Sequence, residues 1–285
     1  MSIVVTGATG HLGRLVIEDL LERAVAAQNI VAVGRRIDEV KDLADRGVRV
    51  RAIDFNDPAT LREAFAGAQK VLLVSGNTVG QRVGQHQNVI DAAKDTGVAL
   101  LVYTSVANAD RTTLHLAADH KATEVALRAS GVPFTLLRNS WYLENYTGQI
   151  QTYLQRGVIL GAAGNGRVSA ATRANYATAA AAVVTADGQE GQVYELGGDQ
   201  AFTMADLAAE ISTASGQDVA YRNLTVDVYT QQLVGAGLPE PVAAALADND
   251  RGVAQGDLLV ISGDLSRLIG RPTTSLADAV AAALH

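Results

Sequence analysis

The chain has 285 residues, 48% hydrophobic and 19% charged, enough to bury a sizeable core in one large domain or in one domain with a smaller lobe. Its net charge of −7, with no long basic cluster, argues against nucleic acid or an anionic membrane surface as a partner. It contains no cysteine, which excludes disulfides, iron–sulfur clusters and zinc–thiolate sites. The histidines, at positions 11, 86, 115, 120 and 285, lack ligand spacing, so no metal is expected. No apolar run reaches about 18 residues and no charged-then-apolar leader opens the chain, so the expectation is a cytoplasmic protein without membrane insertion. A homo-oligomer stays open.

The first expected strand, Ile3–Thr6, runs into glycines spaced G-x-x-G-x-x-G, at Gly7, Gly10 and Gly13. An amphipathic helical pattern, Leu12–Ala24, follows at once. Strand, glycine turn and helix together make a layout that places a pyrophosphate on a helix N-terminus. The candidate cradle is Gly7, Thr9, Gly10, His11, Leu12 and Gly13. A tight turn that binds nothing is the bland alternative.

Further strands are expected at Ile30–Gly34, Val48–Asp54, Val71–Ser75, Leu100–Ser105 and Thr135–Arg138. Helical patterns at Ile37–Asp45, Ala59–Ala68, Val83–Thr96 and Leu116–Ser130 alternate with them. Asp57 and Pro58 are placed to cap and open the third helix. Alternation of this kind predicts an α/β fold, a doubly wound parallel (Rossmann) sheet. After Asn139 the rhythm changes. An aromatic stretch, Trp141–Tyr146, and a glycine-rich turn, Gly161–Gly166, precede helices at Asn175–Ala186, Met204–Ser215, Val226–Gly235, Pro241–Ala247 and Ser275–Leu284, with one strand at Val193–Leu196. The expected organisation is a dinucleotide-binding domain over 1–140 and a smaller α+β substrate lobe over 141–285, with a soft boundary.

The second strand ends in Gly34-Arg35-Arg36, with no carboxylate where an NAD-binding site usually carries one. A guanidinium binds a 2′-phosphate where a carboxylate would repel it, so Arg35 favours NADPH, with Arg36 as the other candidate. A solvated arginine pair is the alternative. Asp54 and Phe55 close the third strand, where such folds border the adenine; they serve equally well as a strand-end cap and a core aromatic.

The Tyr-x-x-x-Lys pair that protonates ketones in short-chain dehydrogenases is missing: Ala107 stands four residues after Tyr103, and Ala117 four before Lys121. Ketone reduction generates an alkoxide and needs a placed acid. Quinone reduction generates an anion of phenol-like acidity, near the ~10 of Tyr, and does not. A cofactor site without that pair suits an acceptor that needs only a hydride, or a fold that senses the nucleotide without turnover.

The segments Thr6-Gly-Ala-Thr-Gly-His-Leu-Gly13, Tyr103-Thr-Ser105, His120-Lys-Ala-Thr-Glu124, Phe134-Thr-Leu-Leu-Arg-Asn139 and Trp141-Tyr-Leu-Glu-Asn-Tyr146 resemble the NmrA-like atypical short-chain dehydrogenases, and within them the bacterial NADPH-dependent quinone oxidoreductases, with triphenylmethane dye reductases close by. The resemblance implies NADPH, neither flavin nor metal, and hydride transfer to a small-molecule quinone. It also implies a nicotinamide floor from Ser75, Gly76, Thr104 and Ser105, and a quinone slot from Asn139, Trp141, Tyr142 and Asn145. Ser105 and His120 are the catalytic candidates; for His120 two roles stay open, holding the nicotinamide ribose or supplying a proton, beside a plain surface position. Trp141 and Tyr142 have a core role as their alternative. Gln85 and His86 either touch the cofactor or cap a helix. Reduction of triarylmethane dyes, or non-catalytic redox sensing, remain the competing functions.

Overall fold

The computed structural model describes residues 1–76, 78 and 80–284. His285 lies outside the described residues. The chain forms two compact units built from separated segments. The first comprises Met1–Val106, Asp119–Arg138 and Arg173–Tyr194; the second comprises Ala107–Ala118, Asn139–Thr172 and the chain from Glu195 onward. The passage from Arg138 to Asn139 falls beside residue 140; the chain also passes between units at 106/107, 118/119, 172/173 and 194/195.

The strands, in chain order, are β1 Ile3–Val5, β2 Ile30–Gly34, β3 Arg49–Ala52, β4 Lys70–Leu73, β5 Leu100–Val106, β6 Phe134–Asn139, β7 Val158–Gly161, β8 Val193–Leu196 and β9 Ala220–Asn223. A seven-stranded parallel sheet, ordered β3-β2-β1-β4-β5-β6-β8, has its body in the first unit. β1 pairs with both β2 and β4, Ile3 lying against Ile30 on one side and Lys70 on the other. The strand order reverses there, which brings the carboxyl ends of β1 and β4 together, the position where open α/β sheets hold ligands.

The strands' composition follows their place in the sheet. β1, β2 and β5 are buried throughout, as doubly covered strands must be. β3 is one edge, and it carries Arg49 and Arg51, charges that discourage pairing with another chain. One core packs Val4, Val33, Leu61, Phe65, Ile90 and Leu101 together. Asp57 caps helix Pro58–Phe65 by accepting from the Ala59 N–H at 3.0 Å, with proline at its start. The expected helix over Ile37–Asp45 is instead a 3-10 turn, Ile37–Val40, followed by a short α-helix, Lys41–Asp45. Helix Arg173–Thr185 packs along helix His11–Glu22, and its alanines allow the close approach. That packing is why a segment from the second half of the sequence belongs to the first unit.

In the second unit β7 and β9 form a parallel pair, Val158 opposite Ala220. Neither was expected from the sequence, nor were helices Glu144–Thr147, Ile150–Arg156 and Asp264–Ile269. Helix Met204–Ser215 starts with a reciprocal capping box: Asp206 N–H donates to Thr203 Oγ1 at 3.1 Å, and Thr203 N–H donates to Asp206 Oδ2 at 2.8 Å. Helix Glu240–Ala254 runs well past the expected Pro241–Ala247, and its buried face continues from Ala243 and Ala247 through Asp248, Gly252 and Val253.

Candidate functional site

At the end of β1 the backbone turns through Gly7, whose φ of 65° is left-handed and suits glycine. Thr6 Oγ1 accepts from the Val74 N–H at 2.9 Å, joining the carboxyl ends of β1 and β4. A Cβ on Gly13 would fall 2.3 Å from the Gly7 carbonyl oxygen, so the helix lies on the turn with no room for a side chain. Gly10 differs: a Cβ there would meet only the Gly7 oxygen, at 3.3 Å. Gly10 is also the N-cap, and no side chain caps this helix. Among the described residues nothing accepts from the N–H groups of His11, Leu12 and Gly13. These first-turn amides, beside the exposed Gly10 and His11, offer N–H donors suited to an anion.

Beside the cradle, Thr9 packs against Gly34, where a Cβ would lie 3.1 Å from its methyl group. Arg35 and Arg36 follow, both exposed. Arg36 pairs with Glu39 at 3.2 Å, whereas Arg35 makes no ion pair among the described residues. Asp54 Oδ1 accepts from the Asn56 backbone N–H at 2.9 Å, an Asx turn that leaves the carboxylate exposed. Phe55 is half-buried against the core, and its carbonyl accepts from Asn88 Nδ2 at 2.8 Å.

The ends of β4 and β5 are joined where Ser75 N–H donates to Thr104 Oγ1 at 2.9 Å. The Gly76 peptide is clamped on both sides. Its N–H donates to His86 Nε2 at 2.9 Å, and its carbonyl accepts from Arg82 Nε at 2.6 Å. Because Nε2 accepts, the proton of neutral His86 sits on Nδ1 and donates to Thr123 Oγ1 at 2.9 Å; Thr123 in turn donates to the Asp119 carbonyl at 2.8 Å. Burial holds the His86 imidazole down, at about 3, so it stays neutral. His86 thus orients Gly76, while Gln85 joins an amide network with Asn56 and Gln81.

His120 and Tyr103 form a buried pair, His120 Nδ1 lying 2.7 Å from Tyr103 Oη. The surface position considered for His120 is overturned: it is 6% exposed. Burial lowers its imidazole to about 3 and pushes the Tyr103 phenol well above its usual range, so both are neutral at physiological pH. Ser105 is committed elsewhere. Its hydroxyl donates to Glu124 Oε1 at 2.7 Å, the same oxygen that accepts from Arg138 Nε at 2.9 Å. Arg138 also reaches Glu124 Oε2 at 2.7 Å, and Arg128 reaches it at 3.2 Å. This is a bidentate, charge-assisted lock between β6 and helix Ala117–Ser130.

In the second unit, Asn139 is buried and its Oδ1 has no hydrogen-bond partner among the described residues. Tyr142 bridges to Ala171. Trp141 and Asn145 line a cavity of about 1070 Å³; Asn139 and Tyr142 are not among its lining residues. The same cavity takes in Tyr146, Tyr153, Tyr229 and Asp250. Only Tyr146 lies in a stretch that the sequence singled out. Asp250 and Tyr229 carried no signal, because they meet the others from distant helices. Among the described residues no group of three or more His, Asp or Glu is arranged to hold a metal, and no helix is long and apolar enough to cross a membrane.

The NmrA-like family model matches residues 1–257. Quinone oxidoreductase 2 of Escherichia coli is 48% identical over 98% of this chain and 97% of its own. The crystal structure of that NADPH-dependent quinone oxidoreductase complexed with NADPH gives a TM-score of 0.97 at 47% identity, covering 99% of this chain and 100% of the other. Triphenylmethane reductase from Citrobacter gives 0.94 at 39% identity, covering 100% and 99%. The chain belongs to the NmrA-like family.

Proposed function

We propose that this protein is an NADPH-dependent reductase that delivers a hydride to quinones without flavin or metal. The observation that carries the reading is the anion cradle: first-turn amides that have no acceptor among the described residues, above a glycine turn on which Gly13 packs too closely for any side chain. Its fit to a dinucleotide pyrophosphate is supported by the likeness to a relative described as complexed with NADPH. NADPH, when bound, supplies the hydride.

The chain's own residues divide the remaining work. Gly7, Thr9, Gly10, His11, Leu12 and Gly13 hold the pyrophosphate. Arg35 meets the 2′-phosphate, and it is preferred over Arg36 because Arg36 is already paired with Glu39. Asp54 and Phe55 border the adenine. Ser75, Gly76 and Thr104 support the nicotinamide, with Gly76 aimed by His86 and Arg82. Ser105 and Glu124 hold β5 in place. A neutral His120 already bonded to Tyr103 fits a positioning role better than proton supply. Tyr103 is buried with its hydroxyl bonded to His120 and has Ala107 rather than a lysine four residues on, which agrees with an acceptor whose reduced form needs no placed acid. Asn139, Trp141, Tyr142 and Asn145 are the proposed acceptor residues, with Trp141 and Asn145 facing the second unit's cavity.

Loss of NADPH absorbance with 1,4-benzoquinone, and none with an aliphatic ketone, is the expected result for colourless purified protein. Ketone turnover, or a requirement for added flavin, would overturn the proposal. The likeness to triphenylmethane reductase supports a second reading, reduction of cationic dyes, which the same assay decides with a dye as acceptor.

A further inference from the structure

The cavity of the second unit is walled by apolar and aromatic side chains such as Trp141, Leu160 and Leu233, and carries Glu144, Arg156 and Asp250 as its ionisable non-phenolic groups. Asp250 stands apart from the surface acids. It projects from helix Glu240–Ala254, and its Oδ2 accepts from the Ala162 N–H at 2.7 Å. Among the described residues no Lys, Arg or His pairs with it, and Arg156 lines the cavity without bonding to it.

Four phenols feel the charge of Asp250, each from a different element. They are Tyr146 from helix Glu144–Thr147, Tyr153 from helix Ile150–Arg156, Tyr221 from β9 and Tyr229 from helix Val226–Gly235. An enclosed carboxylate without a cation is costly, and burial pushes this one up to about 6. The bond to Ala162 offsets part of that cost but brings no positive charge to the carboxylate. A ligand cation does account for it. The surrounding aromatic faces favour the same kind of ligand through cation–π attraction.

We propose that this cavity selects flat aromatic acceptors bearing a positively charged substituent, with Asp250 as the counter-charge. The proposal rests on the reading that the second unit binds the acceptor. Asp250 acts here on acceptor selectivity and takes no part in hydride transfer.

The test compares three naphthoquinones: the unsubstituted ring, one with a quaternary ammonium side chain, and one with a sulfonate. At about pH 7.5, where Asp250 is ionised, kcat/KM should favour the ammonium compound over the sulfonate by about fivefold or more, and the preference should shrink at about pH 5. Asp250→Asn keeps the acceptor for Ala162 and should level the ratio, leaving the neutral quinone within about twofold. Gln232→Lys, an exposed position on the cavity wall, adds a compensating cation and should lower the ratio in a chain with Asp250 intact. A ratio that neither variant moves would overturn the proposal. If the protein turns over no quinone at all, the reductase reading fails, and calorimetric titration with a redox-inert quaternary ammonium arene decides this one separately. Binding weakened in Asp250→Asn supports it; equal binding, or none to either protein, sinks it.

Discussion

Single residues in the first turn separate what folding requires from what the ligand requires. A methyl on Gly13 collides with the Gly7 backbone at 2.3 Å, and neither partner is a flexible side chain. Gly13→Ala should therefore lower the melting temperature, by about 1–3 kcal/mol in stability, as overpacking does. Gly10 has ordinary extended backbone and only one close neighbour, so Gly10→Val should fold and melt near wild type while losing NADPH-induced fluorescence changes. If the two variants exchange behaviour, the cradle has been assigned to the wrong face of the turn. Arg35→Asp exchanges attraction for repulsion at the proposed 2′-phosphate and should weaken NADPH by about 1–3 kcal/mol with little effect on NADH. Equal weakening of both cofactors in a titration would remove Arg35 from that role. Gly7, Gly10 and Gly13 were legible from sequence because turn and helix are local. The clamp on Gly76 was not, since it depends on which ring nitrogen His86 presents across a packed interior.

At the scale of elements, Glu124 ties together three parts of the first unit. It accepts from Ser105 of β5 and Arg138 of β6, and from Arg128 on its own helix. Glu124 and Arg138 are only 3% and 7% exposed at their side chains, so removing one charge strands the other in a low dielectric. Glu124→Gln should cost about 3–5 kcal/mol in a urea melt, and adding Arg138→Met should recover part of it because no buried charge is then left alone. A double variant no more stable than Glu124→Gln alone would show that packing, rather than charge, sets the cost. The alternation of β and α segments exposed this unit's order in the sequence, but the partners of Glu124 come from elements whose adjacency appears only once the sheet is assembled. β7 and β9 show the same limit. Ala220–Asn223 is short and half polar, and becomes a strand only against Val158–Gly161.

For the whole molecule, buried titratable groups set the acid response. His86 and His120 are held near 3 when folded and return to about 6.5 when unfolded, so between those values the unfolded chain binds more protons. The stability they contribute is complete above about pH 6.5 and is lost as pH falls toward 3. Asp250 acts in the opposite direction. Its carboxyl, raised to about 6, binds a proton in the folded state first, and its contribution is lost as pH rises through that value. Near pH 5 the three groups together should give a net uptake of about one proton on unfolding, and His120→Gln should reduce the total uptake by about one. The pH dependence of the urea midpoint measures this; an unchanged slope in the variant would show that His120 is charged in the folded protein.

The sequence by itself determined the parallel α/β order, the glycine turn and the arginines after β2, because each rests on local periodicity, on backbone freedom at one residue, or on spacing within one β–α unit. The family was legible for a related reason: its motifs are short contiguous runs. The tertiary structure alone decided the rest. Helix Arg173–Thr185 joins the first unit because its small side chains fit against helix His11–Glu22, a pairing across more than half the chain. Only the folded chain gathers Asp250 with tyrosines from three other elements around one cavity, since each is an ordinary residue within its own segment. Burial, which converts those ordinary residues into shifted acids and neutral imidazoles, is a property of what surrounds a side chain, and no window of sequence contains it.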